Sequence, residues 1–193
     1  SDMVVIMDNK FTSQIKRGLK VTSSYLLSLV LFGVFLMPLI SIFKENNESA
    51  IFTYSIIIFL LMFSSIYIEM SKIAFKEKRP QYNINPPPFK GLLYGFIGII
   101  PLVLVEVIIF MIKFPEDLLT LHKRIYQGFA GPLYWFAKVI GNEPVHYLVS
   151  FILVVIIAGL GYFAGHKNFY LISFLREKLG INKRSKKANR NKK

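Results

Sequence analysis

The stretch GLLYGFIGIIPLVLVEVIIFMI, residues 91–112, is an apolar run with a single formal charge, Glu106. At 1.5 Å per residue it would form roughly 30 Å of helix, which matches the hydrocarbon core of a bilayer. Three further runs of similar length contain no Asp, Glu, Lys or Arg: 21–43, 49–68 and 144–166. Continuously apolar runs of this length do not build closed barrels, so the sequence predicts an all-α integral membrane protein with four transmembrane helices.

Composition agrees with a membrane class and argues against polar enzyme chemistry. Of the 193 residues, 53% are hydrophobic, and the mean hydropathy is +0.47. The chain has no Cys, which excludes disulfides, thiolate metal ligands and cysteine nucleophiles. No nucleophile elbow, phosphate-binding Gly loop or paired-carboxylate pattern is present, so we expect no enzymatic activity and no cofactor. If the protein were an enzyme after all, a lipid-modifying enzyme would conflict least with the missing motifs.

Charge sets the expected orientation. Most of the 24 Lys and Arg residues lie before the first run, between the second and third runs, and after the fourth run. An even number of spans puts both termini on one side, and the positive-inside rule assigns that side to the cytoplasm. The abundance of Lys, Asn, Ile and Phe is typical of an AT-rich genome. We therefore predict a bacterial cytoplasmic membrane protein with both termini inside.

The four spans are expected to form two hairpins, flanked by short interfacial amphipathic helices. The chain divides into an amphipathic cytoplasmic segment, a membrane domain and a basic disordered tail, over 1–20, 21–182 and 183–193. Within the membrane domain, 167–180 is predicted to be an amphipathic helix on the inner leaflet. A frayed, solvated leader is the alternative for the N-terminal segment.

The connection 113–143 is too long for a bare hairpin, so it is predicted to have its own helices. Pro115, followed by Glu116 and Asp117, is a helix-start signal. A second short helix, which carries Trp135, is interpreted as interfacial or re-entrant, because amphipathic rings prefer the membrane boundary.

Small residues and prolines in the runs predict close helix packing and kinks, because Gly lets two backbones approach and Pro removes a helical hydrogen bond. The positions are Gly33, Pro38, Gly95, Gly98, Pro101, Gly159, Gly161 and Gly165.

Glu106 is the main candidate for a functional group. A charge inside a membrane helix costs roughly 3 kcal/mol on insertion scales, and such residues usually face the protein interior. Proton or cation coupling is one interpretation. A structural carboxyl that bonds to a neighbouring helix or a partner subunit is the other.

His122, Trp135 and His146 are candidates for a site at the outer interface, together with Glu106 or Glu143. The His residues show no metal-ligand spacing, so no metal site is predicted.

Basic residues near the predicted cytoplasmic surface are candidates for binding anionic lipids, each contributing about 1 kcal/mol near the surface. Nucleic acid is a less favoured partner, because the basic tail lacks interleaved aromatic residues. The candidates are Lys16, Arg17, Lys78, Arg79, Lys183, Arg184, Lys186 and Lys187.

Two functions follow from these observations. The first is a non-enzymatic accessory or structural subunit of a larger membrane assembly, because intramembrane polar groups are few and packing faces are many. The second is a small oligomeric transporter or channel, including a holin-like pore, that uses Glu106. The partners expected are the bilayer, its anionic lipids, and either another membrane protein or further copies of the chain.

Overall fold

The structure, a computed structural model, describes residues 10–42 and 47–169. Seven α-helices are present in these ranges, joined by three short 3-10 turns at Pro80–Tyr82, Glu116–Leu118 and Gly131–Leu133. The helices are α1 (Phe11–Ile42), α2 (Asn47–Glu77), α3 (Lys90–Met111), α4 (Leu119–Phe129), α5 (Tyr134–Ile140), α6 (Pro144–Ser150) and α7 (Ile152–His166).

Four membrane-length spans are present, namely α1, α2, α3 and the consecutive pair α6–α7. This confirms the predicted all-helical membrane class, in which short helices accompany four long apolar ones. Large apolar side chains on the outer faces of the spans remain exposed, among them Leu27, Leu61 and Leu104. Such surfaces suit contact with lipid rather than water.

Helix α1 runs continuously from Phe11 into the first membrane span. Residues 1–9 of the predicted N-terminal segment lie outside the described residues. The fourth span is divided at Phe151, whose N–H donates to the carbonyl of Leu148 over 3.2 Å, a tighter step than that of an α-helix.

The spans form a bundle in which α2 and α3 each pack against both α1 and α7. Helices α1 and α7 therefore lie diagonally opposite each other. The two spans of each predicted hairpin, α1 with α2 and α3 with the span α6–α7, are neighbours. Helix α2 ends at Glu77, shortly before Pro80, because a residue that precedes proline disfavours helical backbone. The segment containing Pro86 to Pro88 leads into α3 without regular structure.

The two ends of the bundle have different structures. At one end, called here the basic end, α1 and α3 begin and α2 and α7 finish. At the opposite end, helices α4 and α5 pack against α6, where the fourth span begins, and the three helices together form a cap. Ser55 of α2 joins the cap to the bundle, because its hydroxyl donates to the carbonyl of Gly131 over 2.7 Å and accepts the N–H of Trp135 over 3.1 Å.

Several predicted segments lie outside the described residues. They are most of the predicted inner helix 167–180 and the whole tail 183–193, with Lys183, Arg184, Lys186 and Lys187.

Candidate functional site

Two carboxylates in the described part of the chain, Glu77 and Glu106, are fully buried, with 0% of each residue exposed. They lie on different helices and in different surroundings. The contrast between their surroundings separates a structural group from a candidate functional one.

Glu77 lies at the basic end of the bundle and is saturated by donors. Its Oε1 is 2.6 Å from a guanidinium nitrogen of Arg17 and accepts the hydroxyl of Tyr94 over 2.5 Å. Its Oε2 accepts the hydroxyl of Tyr162 over 2.6 Å and lies 3.4 Å from Nζ of Lys90. A carboxylate has about four lone-pair positions, and here four side chains occupy them.

These five side chains connect all four spans. Arg17 belongs to α1, Glu77 to α2, Lys90 and Tyr94 to α3, and Tyr162 to α7. A buried ion is tolerated only where such partners replace its lost hydration. The cluster, called here the Glu77 network, therefore acts as a structural joint rather than a reactive site.

Sequence reasoning missed the Glu77 network, although a signal for it existed. The buried stripe of α2 runs through Ile66, Met70, Ile73 and Ala74 to Glu77, at helical spacing. If the helical spacing of these apolar residues is continued beyond the membrane run, Glu77 falls on the same buried face of α2.

Glu106 lies on the inner face of α3, in line with the buried residues Tyr94, Gly98 and Leu102 at intervals of four. Neither of its carboxylate oxygens has a hydrogen-bond partner among the described residues. The prediction that singled out Glu106 rested on its charge alone. The structure adds that the side chain faces the protein interior and that no cation among the described residues pairs with it there.

Tyr25 of the bundle and Tyr126 of the cap lie within electrostatic range of Glu106. The hydroxyl of Tyr25 donates to the carbonyl of Phe129 over 2.8 Å, which ties α1 to the cap. Burial raises the pKa of the Tyr126 phenol, and the nearby carboxylates Glu143 and Glu106 raise it further. This electrostatic coupling identifies Tyr126, in α4, as a neighbour of Glu106.

A hydrogen-bonded group of cap side chains lies beside these tyrosines. Tyr147 donates its hydroxyl to Oδ1 of Asn142 over 2.6 Å, and the amide of Gln127 donates to the Tyr147 hydroxyl over 3.1 Å. The rings of Tyr126 and Tyr147 meet edge to face, with centroids 5.4 Å apart. These hydrogen bonds join α4 to the start of α6 beside Tyr126.

The predicted histidine candidates do not converge on Glu106. Nε2 of His122 lies 2.8 Å from the carbonyl of Ile109, and its ring stacks on Phe114. Nδ1 of His146 accepts the N–H of Glu143 over 3.0 Å, within the capping box that begins α6. Among the described residues, no three His, Asp or Glu side chains could together hold a metal ion.

Trp135 packs edge to face on Phe59 of α2, with ring centroids 5.2 Å apart. About 27 Å of helix separates Phe59 from Glu77. This spacing is close to the thickness of a hydrocarbon core. The cap and the Glu77 network thus lie about one bilayer thickness apart.

Among the predicted packing residues, five glycines lie at close helix contacts and Gly33 lies in open space. Pro38 and Pro101 lie within α1 and α3 without ending them. The five close-packed glycines are Gly95, Gly98, Gly159, Gly161 and Gly165.

The predicted lipid-binding residues have different environments. Arg17 is buried in the Glu77 network instead of facing the headgroups. Lys16 is exposed. Lys78 donates to the carbonyl of His166 over 2.9 Å, and Arg79 lies over the ring of Phe75.

Comparison with known proteins adds no family to this description. No protein-family model matches the chain, and neither a similar curated protein nor a similar solved structure is found. The fold and the buried groups define the class, a four-helix membrane protein.

Proposed function

We propose that the chain is a small, non-enzymatic membrane transporter in which Glu106 binds and releases a proton or a small cation. The observation that supports this proposal is the buried carboxyl of Glu106, which has no partner for either oxygen among the described residues. Ionising such a group costs several kcal/mol unless a cation accompanies it. Gain or loss of a proton or a cation is therefore the chemistry available to it.

The surroundings of Glu106 support access from the cap. Tyr126, Tyr147, Asn142 and Gln127 supply hydroxyl and amide groups on that side. On the other side, Val21, Leu102, Val154 and other apolar side chains separate Glu106 from the Glu77 network. About 18 Å of α3 lies between Tyr94 and Glu106. Transport would require this apolar layer to open.

One buried carboxyl without a partner in the described part of each copy makes a sparse pathway, so we propose that several copies assemble to form it. We further propose that the protein resides in a bacterial cytoplasmic membrane with both termini in the cytoplasm. In that orientation the Glu77 network lies at the inner boundary and the cap at the outer one. The uneven distribution of Lys and Arg supports this orientation.

Ion flux in liposomes tests the role of Glu106. The purified protein, reconstituted with a pH-sensitive dye inside, is compared with Glu106→Gln and with Glu116→Gln, in which the substituted carboxyl is exposed on the cap. We expect the protein and Glu116→Gln to dissipate an imposed proton or potassium gradient. Glu106→Gln should lose at least about tenfold in rate, because its amide cannot exchange a proton or bind a cation as a carboxylate does.

Equal flux in Glu106→Gln and in the unmodified protein would contradict the proposal, provided that both elute as the same oligomer in detergent. Flux that is absent from all three proteins would also count against a transporter. Loss of membrane potential on expression in cells would identify a holin-like pore among the transport functions.

An accessory subunit is the second candidate, favoured by the exposure of α1. In the most apolar stretch of α1 only 17% of the residues are buried inside the protein, whereas 61% are buried in that of the span α6–α7. The uncovered face would suit a neighbouring membrane protein as well as lipid. Native mass spectrometry after purification from the host in mild detergent distinguishes the two candidates. A stoichiometric foreign subunit would favour the accessory role, and a homo-oligomer would favour transport.

A further inference from the structure

A cavity of about 250 Å³ lies between the bundle and the cap, away from the Glu77 network. Its wall on the bundle side is apolar and consists of Phe32, Leu36 and Ile40, which follow one another at intervals of four along α1, together with Ile51 of α2. The wall on the cap side is formed by α4 and by Tyr134 of α5. Mostly apolar concave sites with a few polar groups are typical of ligand pockets.

The polar groups of the cavity lie towards the ends of the helices. Asn47 is the first residue of α2, and its side-chain Oδ1 is buried without a hydrogen-bond partner among residues 10–42 and 47–169. Arg124 and Gln127 reach the cavity from α4. About 12 Å of α1 separates Phe32 from Ile40 at this end. The cavity thus combines an apolar wall along α1 with polar groups from α2 and α4.

We propose that this cavity binds an anionic, single-chain phospholipid through its headgroup and first acyl carbons. The guanidinium of Arg124 would contact the phosphate, because Arg binds phosphate oxygens through a planar pair of donors. The unpartnered oxygen of Asn47 would accept a headgroup hydroxyl. The acyl chain would start against Phe32, Leu36 and Ile40 and continue along the exposed apolar face of α1.

The size and charge of the cavity support this occupant. A water-sized group takes up about 30 Å³, so the cavity has room for about eight non-hydrogen atoms. This volume suits part of a headgroup rather than a whole lipid. The nearby carboxylate of Glu48 is paired with Lys138 at 2.6 Å. Arg124 and its neighbour Lys123 therefore favour an anion over a cation at this position. The proposal does not depend on the role of Glu106.

A glycine in the cavity wall offers a specific way to block it. Gly128 lines the cavity, and a Cβ added there would meet no other atom within 4 Å. A leucine at this position would extend into the cavity from a Cβ that has open space around it, and its helix propensity exceeds that of Gly. Gly33 of α1 is the matched control, because it is also helical and open but does not line the cavity.

The test is direct binding of lauroyl lysophosphatidylglycerol to the purified protein in detergent, measured by native mass spectrometry with titration. Uncharged monolaurin and free glycerol phosphate are the reference probes. We expect saturable one-to-one binding of the lysolipid, with about tenfold weaker binding in Gly128→Leu and no change in Gly33→Leu. Arg124→Gln should weaken binding of the lysolipid about tenfold and leave monolaurin unaffected.

Lysolipid binding that survives in Gly128→Leu would overturn the proposal, as would a lysolipid preference that survives in Arg124→Gln. Glycerol phosphate that binds as tightly as the lysolipid would show a free-phosphate site instead. Glu106→Gln should bind the lysolipid like the unmodified protein, so this test and the flux test can fail independently.

Discussion

Two carboxylates of this chain show how burial alone leaves the role of a side chain open. Glu77 and Glu106 are equally inaccessible, yet Glu77 is held by two cations and two phenols whereas neither oxygen of Glu106 has a partner among the described residues. A saturated carboxylate stabilises the arrangement of the helices that supply its partners. A buried carboxylate without such partners can bind a proton or a ligand.

The Glu77 network leads to a prediction about stability. Glu77→Gln should lower the free energy of unfolding by about 3–5 kcal/mol. The substitution removes the negative charge that two buried cations and two phenols contact, so the cations lose their counter-charge. The measurement is thermal unfolding in detergent, followed by circular dichroism. Glu69→Gln is the matched control on the same helix. Its carboxyl is partly exposed and pairs with Lys20 and Lys72 at the surface, so we expect a change below about 1 kcal/mol.

Similar losses of stability in Glu77→Gln and Glu69→Gln would contradict a structural role for the network. Tyr162→Phe provides a further check, because it removes one of the four donors and keeps the ring. Its effect should be smaller than that of Glu77→Gln, about 1–3 kcal/mol.

At the scale of helices, glycine decides how closely α2 and α7 approach. A Cβ on Gly161 would lie 2.7 Å from the carbonyl oxygen of Tyr67, which is backbone and cannot turn aside. Ser71 strengthens the same contact, since its hydroxyl donates to the carbonyl of Gly161 over 2.7 Å. Spans that lack a hydrophobic force between them depend on such close contacts and hydrogen bonds.

Gly161→Ala should therefore destabilise the protein by about 1–3 kcal/mol through overpacking. Gly33→Ala, in a helical position with open space, should be neutral or stabilise by up to about 1 kcal/mol because Ala favours helix. Unfolding of both variants in a denaturing detergent measures the difference. If Gly161→Ala unfolded at the same denaturant fraction as Gly33→Ala, the helix contact would be looser than described.

At the scale of the whole molecule, the positions of the ends can be tested because the chain has no Cys. Single-cysteine variants at Lys10 and at Asp117 would report the basic end and the cap. We expect a membrane-impermeant maleimide to label Asp117→Cys on intact cells and Lys10→Cys only after permeabilisation, because positive loops remain inside. The opposite labelling pattern would reverse the proposed orientation, and the unmodified chain provides the unlabelled control.

The class of the protein could be predicted from the sequence because it depends on local composition. Runs such as 91–112 must be helices in a membrane, since an apolar medium leaves backbone groups no other partner. The sequence also identified Glu106 as exceptional and predicted helices in the connection that carries Trp135. Each of these conclusions needs only neighbouring residues and the properties of the bilayer.

Only the tertiary structure decided which distant residues meet. Arg17 was predicted from its neighbours in sequence to bind anionic lipids, but helix packing brings it to Glu77 together with Lys90. Equally, the rotation of α3 turns Glu106 inward, and the placement of α4 opposite α1 leaves a cavity lined by Phe32 and Gly128. Such pairs depend on how packed helices are rotated and shifted relative to one another. The periodicity of a sequence shows which residues share a face of one helix, but not which face of another helix they meet.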